Sequence, residues 1–265
     1  MLAADQGDPG AAMLLYQQAL ALHREGGNRV SEGGTLSNLG YSALILGDYA
    51  AASAQFAEAR ALFAHIGHRQ NEAITLINLG MALLHQAQPD QALSHAREAT
   101  TMLHAARDRW AQGAALRLMG QAALVLGDAV AAARDFEASR ELFDSMRMPH
   151  LAIEAIAGLA DLALTAGDLA SALGHVNAIL AMLAAGTSLD GTEEPMRVHL
   201  CCHRVLAANG DPRARPVLEQ AYHDLSARAL RISDAQRRES FLRAVPHHRG
   251  LVEAWQSAAG RTEQD

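Results

Sequence analysis

A register that returns every 40 residues constrains this chain more than any other feature of it. Leu39-Gly40, Leu79-Gly80, Met119-Gly120 and Leu159-Ala160 stand one period apart. Each is followed by a turn, in order Gly47-Asp48, Gln88-Pro89-Asp90, Gly127-Asp128 and Gly167-Asp168. An alanine comes next, Ala52, Ala92, Ala132 and Ala172. Phe56, Ala96, Phe136 and Val176 follow, and after them Ala59, Ala99, Ser139 and Ile179. Self-similarity at a fixed period marks stacked units, none of which can bury its apolar face alone.

Composition says what the unit is made of. Half of the 265 residues are apolar but only 4% are aromatic, so alanine and leucine carry the apolar mass. Both are strong helix formers. Runs of Val, Ile and Thr, which would favour strands, are scarce. The unit is therefore a helix pair. A small residue at Gly40, Gly80, Gly120 and Ala160 lets the second helix come close, and the alanine at Ala52, Ala92, Ala132 and Ala172 is the matching small site. Gly-Asp ends the first helix with a left-handed glycine and caps the second with aspartate.

Leu-Gly followed by Ala-x-x-x-Phe-x-x-Ala at this spacing resembles the tetratricopeptide repeat. The longer repeat resembles those of kinesin light chains and of the sensor regions of large bacterial regulators. It lacks the tryptophan, tyrosine and terminal proline of the shorter consensus. The resemblance implies an all-α, right-handed α-α superhelix of about 12 helices. Residues 1–30 read as a truncated first repeat, with Gly7-Asp8, Ala12, Tyr16 and Ala19 marking its second helix. Residues 31–185 hold four full repeats, 186–232 a polar loop and a degenerate fifth, 233–258 capping helices, and 259–265 a frayed tail. Ser240 to Pro246, with Arg249 and Trp255, resembles the tail that closes such arrays in bacterial regulators. The missing first helix predicts an upstream domain of the same polypeptide, and self-association through Leu14, Leu15, Tyr16 and Leu20 where that edge is bare.

Several functions are disfavoured. All 22 basic residues are arginine, which rules out a lysine-dependent phosphate loop. The formal charge is −7, with no basic footprint for nucleic acid over residues 1–208. Eight arginines against four acids between Arg213 and Arg249 read as a solvated helix face. No nucleophile elbow, dinucleotide fingerprint or His-Glu-x-x-His occurs, so the chain is not expected to be an enzyme or to carry a cofactor. No apolar stretch reaches the ~18–20 residues of a membrane span. The adjacent Cys201 and Cys202 and the polar residues soon after Met1-Leu2 predict a cytoplasmic location. His199 and His203, four apart, share a helix face and invite a metal, but Cys201 and Cys202 fall at buried positions. Core cysteines beside histidines, with no metal, is the reading preferred.

In the family resembled, first helices line a concave groove that holds a partner. Carried over, the groove residues are Ser37, Asn38 and Tyr41, then Asn78, Met81 and His85, then Arg117 and Gln121, then Asp161. Asn38 and Asn78 stand where an amide would grip a ligand backbone, or would bond a neighbouring helix instead. Arg117 would meet a ligand carboxylate unless Glu154 or Asp161 neutralises it first. The expected function is a protein- or peptide-binding scaffold within a bacterial signalling or transcription regulator. The alternative is a sensor of a small molecule or signal peptide that acts on an upstream effector.

Overall fold

The computed structural model describes residues 7–262. Among them thirteen helices form and no strand. They are α1 (Pro9–Glu25), α2 (Arg29–Ile45), α3 (Tyr49–His65), α4 (Arg69–His85), α5 (Pro89–Ala106), α6 (Arg109–Val125) and α7 (Ala129–Ser145), followed by α8 (Pro149–Thr165), α9 (Leu169–Ala184), α10 (Pro195–Ala208), α11 (Ala214–Leu230), α12 (Ala235–Arg243) and α13 (Pro246–Thr262). The result is an all-α solenoid of helix pairs, with one helix more than the repeat arithmetic suggests. The tail from 263 onward lies outside the described residues, as does the chain before Gly7.

The turns beat at half the repeat. Asp8, Asn28, Asp48, Asp108, Asp128 and Asp168 each cap a helix through a side-chain oxygen that accepts a backbone N–H. Between helices one residue takes a left-handed conformation. It is Gly47, Gly127 and Gly167 where the Gly-Asp signal stands, but Ala87, Arg107 and Arg147 at equivalent turns. A Cβ is unfavourable in that region, so these three turns are held by their surroundings rather than by their own preference.

Within the first and third full repeats, phenylalanine rings lie on glycines. A Cβ on Gly40 would sit 2.8 Å from Phe56, and one on Gly33 2.7 Å from Phe63. The third repeat repeats this with Gly120 against Phe136 at 2.7 Å and Gly113 against Phe143 at 2.5 Å. The second and fourth repeats replace ring and glycine by medium side chains, Ala73 with Leu103 and Ile153 with Leu183. Ala52, Ala92, Ala132 and Ala172 are all fully buried, as the close-approach reading requires.

The array does not stay open. After α11 the chain turns back, and α12 and the start of α13 reach the first repeat. Asp8 Oδ2 accepts from both N (2.9 Å) and Oγ (2.5 Å) of Ser233. Arg237 Nη1 donates to the Gly10 carbonyl at 2.9 Å, and Ser240 Oγ to the Leu46 carbonyl at 2.8 Å. Leu46 shares an apolar cluster with Phe241, Leu218 and Leu251. The C-terminal helices thus cap the last repeat and also bridge to the first, closing the solenoid into a ring.

Candidate functional site

The repeat places one residue of each first helix at the same angular position. Tyr41 on α2, Met81 on α4, Gln121 on α6 and Asp161 on α8 form one such row. Ile45, His85, Val125 and Thr165 form the next, one turn on. Most of both rows face the inside of the ring, where the chain's own segments meet them. The loop between α9 and α10 brings in Glu193 and Glu194, and α13 brings in His247 and His248.

A buried charge network results. Arg117 on α6 is 1% exposed and lies among Glu154 (3.7 Å), Glu194 (3.6 Å) and Glu193, the last in hydrogen-bond contact. Gln121 Nε2 donates to Glu194 at 2.7 Å, and the Glu194 backbone N–H donates to Glu154 at 2.8 Å. Arg197 on α10 pairs with Glu194 (3.2 Å) and Asp161 (3.3 Å), and donates to the Glu154 carbonyl at 2.8 Å. His85 Nε2 stands 3.3 Å from Glu194 and its ring stacks on Tyr49 at 4.6 Å.

Burial and pairing shift these groups in opposite directions. Burial alone would raise the Glu194 carboxyl, but its hydrogen bond with His85 and the charge of Arg197 hold it well below the usual range. Glu193 goes the other way, because burial outweighs Arg117. Burial also raises Asp161 against the pull of Arg197. His247 is pushed down to about 4 by burial, with Glu194 opposing, and His248 falls well below its ordinary value for the same reason. The imidazoles of α13 are therefore neutral at pH 7. The Tyr49 hydroxyl is buried with no hydrogen-bond partner among the described residues, and burial raises its pKa.

One part of the groove remains open. A cavity of about 510 Å³ lies between α4, α6 and α8 on one side and α10 with the start of α13 on the other. Its apolar wall includes Met81, Leu84, Leu124, Val125 and Leu200. Asp161, Glu194, Arg197 and His247 mark its polar side, with the exposed Arg204 among them. Val125 is 62% exposed.

Of the residues singled out by sequence, Tyr41, Met81, His85, Gln121 and Asp161 gather around the ring's interior cavities. Ser37, Asn38 and Asn78 do not. Ser37 Oγ donates to the Gly33 carbonyl at 3.0 Å and lies 3.4 Å from Thr75 Oγ1, so it is spent within the helix packing. Asn78 is 7% exposed. Its repeat equivalents explain the position: Leu118 meets Gly80 of the preceding repeat, and Gly158 is what the Phe136 ring leaves room for. These positions serve contact between repeats, which favours the structural reading of the asparagines. Arg117 is neutralised as the sequence allowed, by Glu154, together with the unforeseen Glu193 and Glu194.

Cys201 and Cys202 are each 1% exposed in the core between α8, α9 and α10, where Cys201 Sγ contacts the Ala157 carbonyl at 3.4 Å. His203 Nδ1 turns to the Ala214 carbonyl at 3.0 Å. No group of three potential metal ligands gathers among the described residues. Sequence reading missed Glu193, Glu194, Arg197, Tyr49 and His247. The available signal was an arginine at a groove position and two carboxylates at the one place where the repeat breaks.

Residues 31–104 match a tetratricopeptide-repeat family model. No curated protein matches the chain in sequence. Among solved structures it is similar to BtubC (BKLC) from P. vanneervenii, at 12% identity and a TM-score of 0.64, over 83% of this chain and 91% of that one. A Rap protein complexed with competence and sporulation factor matches at 15% identity and a TM-score of 0.61, over 94% and 72%. Aspartyl phosphate phosphatase F from Bacillus subtilis matches at 14% identity and a TM-score of 0.67, over 98% and 65%. At these identities the likeness is one of fold. Among the described residues no helix is long and apolar enough to cross a membrane.

Proposed function

We propose that this tetratricopeptide-repeat solenoid is a non-catalytic binding module whose partner, a protein or peptide segment, seats in the part of the groove left open. The observation that carries the reading is the cavity of about 510 Å³ walled by first helices. Ligand sites of roughly 300–1,000 Å³ with an apolar lining and a few polar groups are the usual form of a binding pocket. Here Met81, Leu84, Leu124 and Val125 offer apolar contact, and Arg204 at the rim offers a cation to a ligand carboxylate. The Rap protein complexed with competence and sporulation factor supports a binding role for such a solenoid, by analogy of fold alone. The same volume suits a small molecule, so a sensor is the second reading.

The finer reading is a module of a larger bacterial regulator acting in the cytoplasm. It draws support from the tail resemblance at Ser240 to Pro246. It also draws on the N-terminal edge, where Leu14, Leu15 and Leu22 are 56%, 66% and 67% exposed and so suited to an upstream domain or a second copy. Leu20 is buried and Tyr16 half-buried, which narrows that edge.

Titration of a peptide array tests the site. Val125→Glu and Arg204→Glu should each weaken binding by about tenfold, while Arg97→Glu and Arg140→Glu on the outer surface leave it unchanged. Loss of binding in the outer pair alone would move the site elsewhere.

A further inference from the structure

The ring is closed by a seam that is built differently from the contacts between consecutive repeats. Consecutive repeats meet through whole buried helix faces. The seam between residues 233–247 and the first repeat is fastened by side chains at single points: Asp8 to Ser233, Arg237 to the Gly10 carbonyl, and Ser240 to the Leu46 carbonyl. Its apolar contact sets Leu46, Ile45 and Met13 beside Phe241, and Gly47 beside Ala244 and Val245. A cavity of about 60 Å³ runs behind it, lined by Tyr41, Leu44, Tyr49, Phe241 and Val245 among others. The Tyr49 hydroxyl, which has no hydrogen-bond partner among the described residues, belongs to a side chain lining the same cavity. A void forfeits dispersion contacts and an unmet hydroxyl forfeits a hydrogen bond, so both weaken the closed state relative to an open one.

We propose that Ser233–Val245 is a releasable clasp, and that the C-terminal helices part from the first repeat along this seam to expose Tyr41 and Leu44 to the partner. This rests on the groove being the binding surface. The groove as closed presents only the pocket lined by α4, α6, α8 and α10. Parting the seam extends that pocket from Met81 to Tyr41 and Leu44 on α2, and makes one continuous channel along the first helices, long enough for an extended segment. The occupant is thus a peptide rather than a compact metabolite, since only a chain spans several repeats.

Gly47 supplies a matched test. Gly47 and Gly127 stand at the same repeat position with the same φ of +79°. A Cβ on Gly47 would come within 2.7 Å of Ala244 in the clasp, whereas one on Gly127 would meet nothing within 4 Å. Alanine therefore imposes the same backbone strain at both and presses on the clasp at only one. The reporter is Leu44→Cys, behind the seam, with native Cys201 and Cys202 as internal markers of global unfolding because they are buried in another part of the core. Labelling by a bulky thiol reagent, read by mass spectrometry, should reach Cys introduced at 44 about tenfold faster than the native pair. Gly47→Ala should raise that ratio by about a further tenfold and Gly127→Ala should leave it unchanged.

In the unaltered chain, amide hydrogen exchange of α12 should outrun that of α4 to α8 by about tenfold or more. Labelling at 44 that keeps pace with Cys201 and Cys202, or equal effects of the two glycine variants, would overturn the clasp. No ligand enters either measurement, so the clasp and the binding reading fail separately.

Discussion

Replacing Arg117 by methionine would test whether the interior of the ring is a structural keystone or a vacant ligand site. The guanidinium is 1% exposed and faces Glu154, Glu193 and Glu194, whose side chains are 1%, 9% and 7% exposed. Methionine keeps the length of the side chain and removes the charge, leaving three carboxylates close together with Arg197, His85 and Gln121 at Glu194 to offset them. Removing one partner of a buried ion pair costs about 3–5 kcal/mol. For a chain of this size 1 kcal/mol corresponds to roughly 2–4 °C, so Tm should fall by about 10 °C. Adding Glu193→Gln removes one of the stranded charges and should return about 1 kcal/mol or more, a coupling that independent sites would not show. Thermal and urea unfolding followed by circular dichroism and by intrinsic fluorescence would measure both. An Arg117→Met protein that melts within about 2 °C of the parent would refute the reasoning, because an arginine held in reserve for a ligand costs little to lose.

Other outcomes can be checked alongside. Ala92→Arg or Ala132→Arg places a long cation in a fully buried methyl site and should cost more than ~3 kcal/mol, seen as unfolding at lower urea. Ala87→Gly and Arg147→Gly relieve a left-handed φ of 58° and 57° and should each gain about 0.5–1 kcal/mol in a melting experiment. His247 is depressed from 6.5 to about 4, so the unfolded chain binds its proton first. Its contribution is therefore complete above pH 6.5 and lost as pH falls towards 4, about 2 kcal/mol between pH 7 and 5. His247→Gln should flatten that part of the stability profile, whereas Glu193 and Asp161, raised by burial, act in the opposite sense.

Much of the fold is legible in the sequence because each repeat restates the same local rules. Gly47-Asp48, Gly127-Asp128 and Gly167-Asp168 declare their turns, and Phe56 and Phe136 declare the glycines they cover. The placing of Cys201 and Cys202 in the core follows from the same register. The groove was harder to read. Periodicity gives the face on which Tyr41, Met81, Gln121 and Asp161 lie, but it cannot say that a non-repeating loop will be laid across that face. Glu193 and Glu194 belong to the stretch where the register lapses, and their partner Arg117 is 76 residues from Glu193. Asn38 and Asn78 are legible only as two alternatives, a grip on a ligand or a bond to a neighbouring helix. Their position looks towards the previous repeat, a fact carried by Leu118 and Gly158 rather than by the asparagines.

The rings that lie on glycines bear on how such an array can be rearranged. Phe56 and Gly40, like Phe63 and Gly33, sit on the two helices of a single repeat, and so do Phe136 with Gly120 and Phe143 with Gly113. Each large side chain travels with the hollow cut for it. A crossover between repeats therefore exchanges complete lock-and-recess sets, whereas a crossover at the turn inside a repeat would set a ring against an alanine or an isoleucine. The third repeat is bound further on both sides, because Phe136 also occupies the hollow at Gly158 in the fourth and Leu118 lies against Gly80 in the second. Those three repeats are a single heritable block, and shuffling or lengthening this chain by whole units would fail at the two joins inside it.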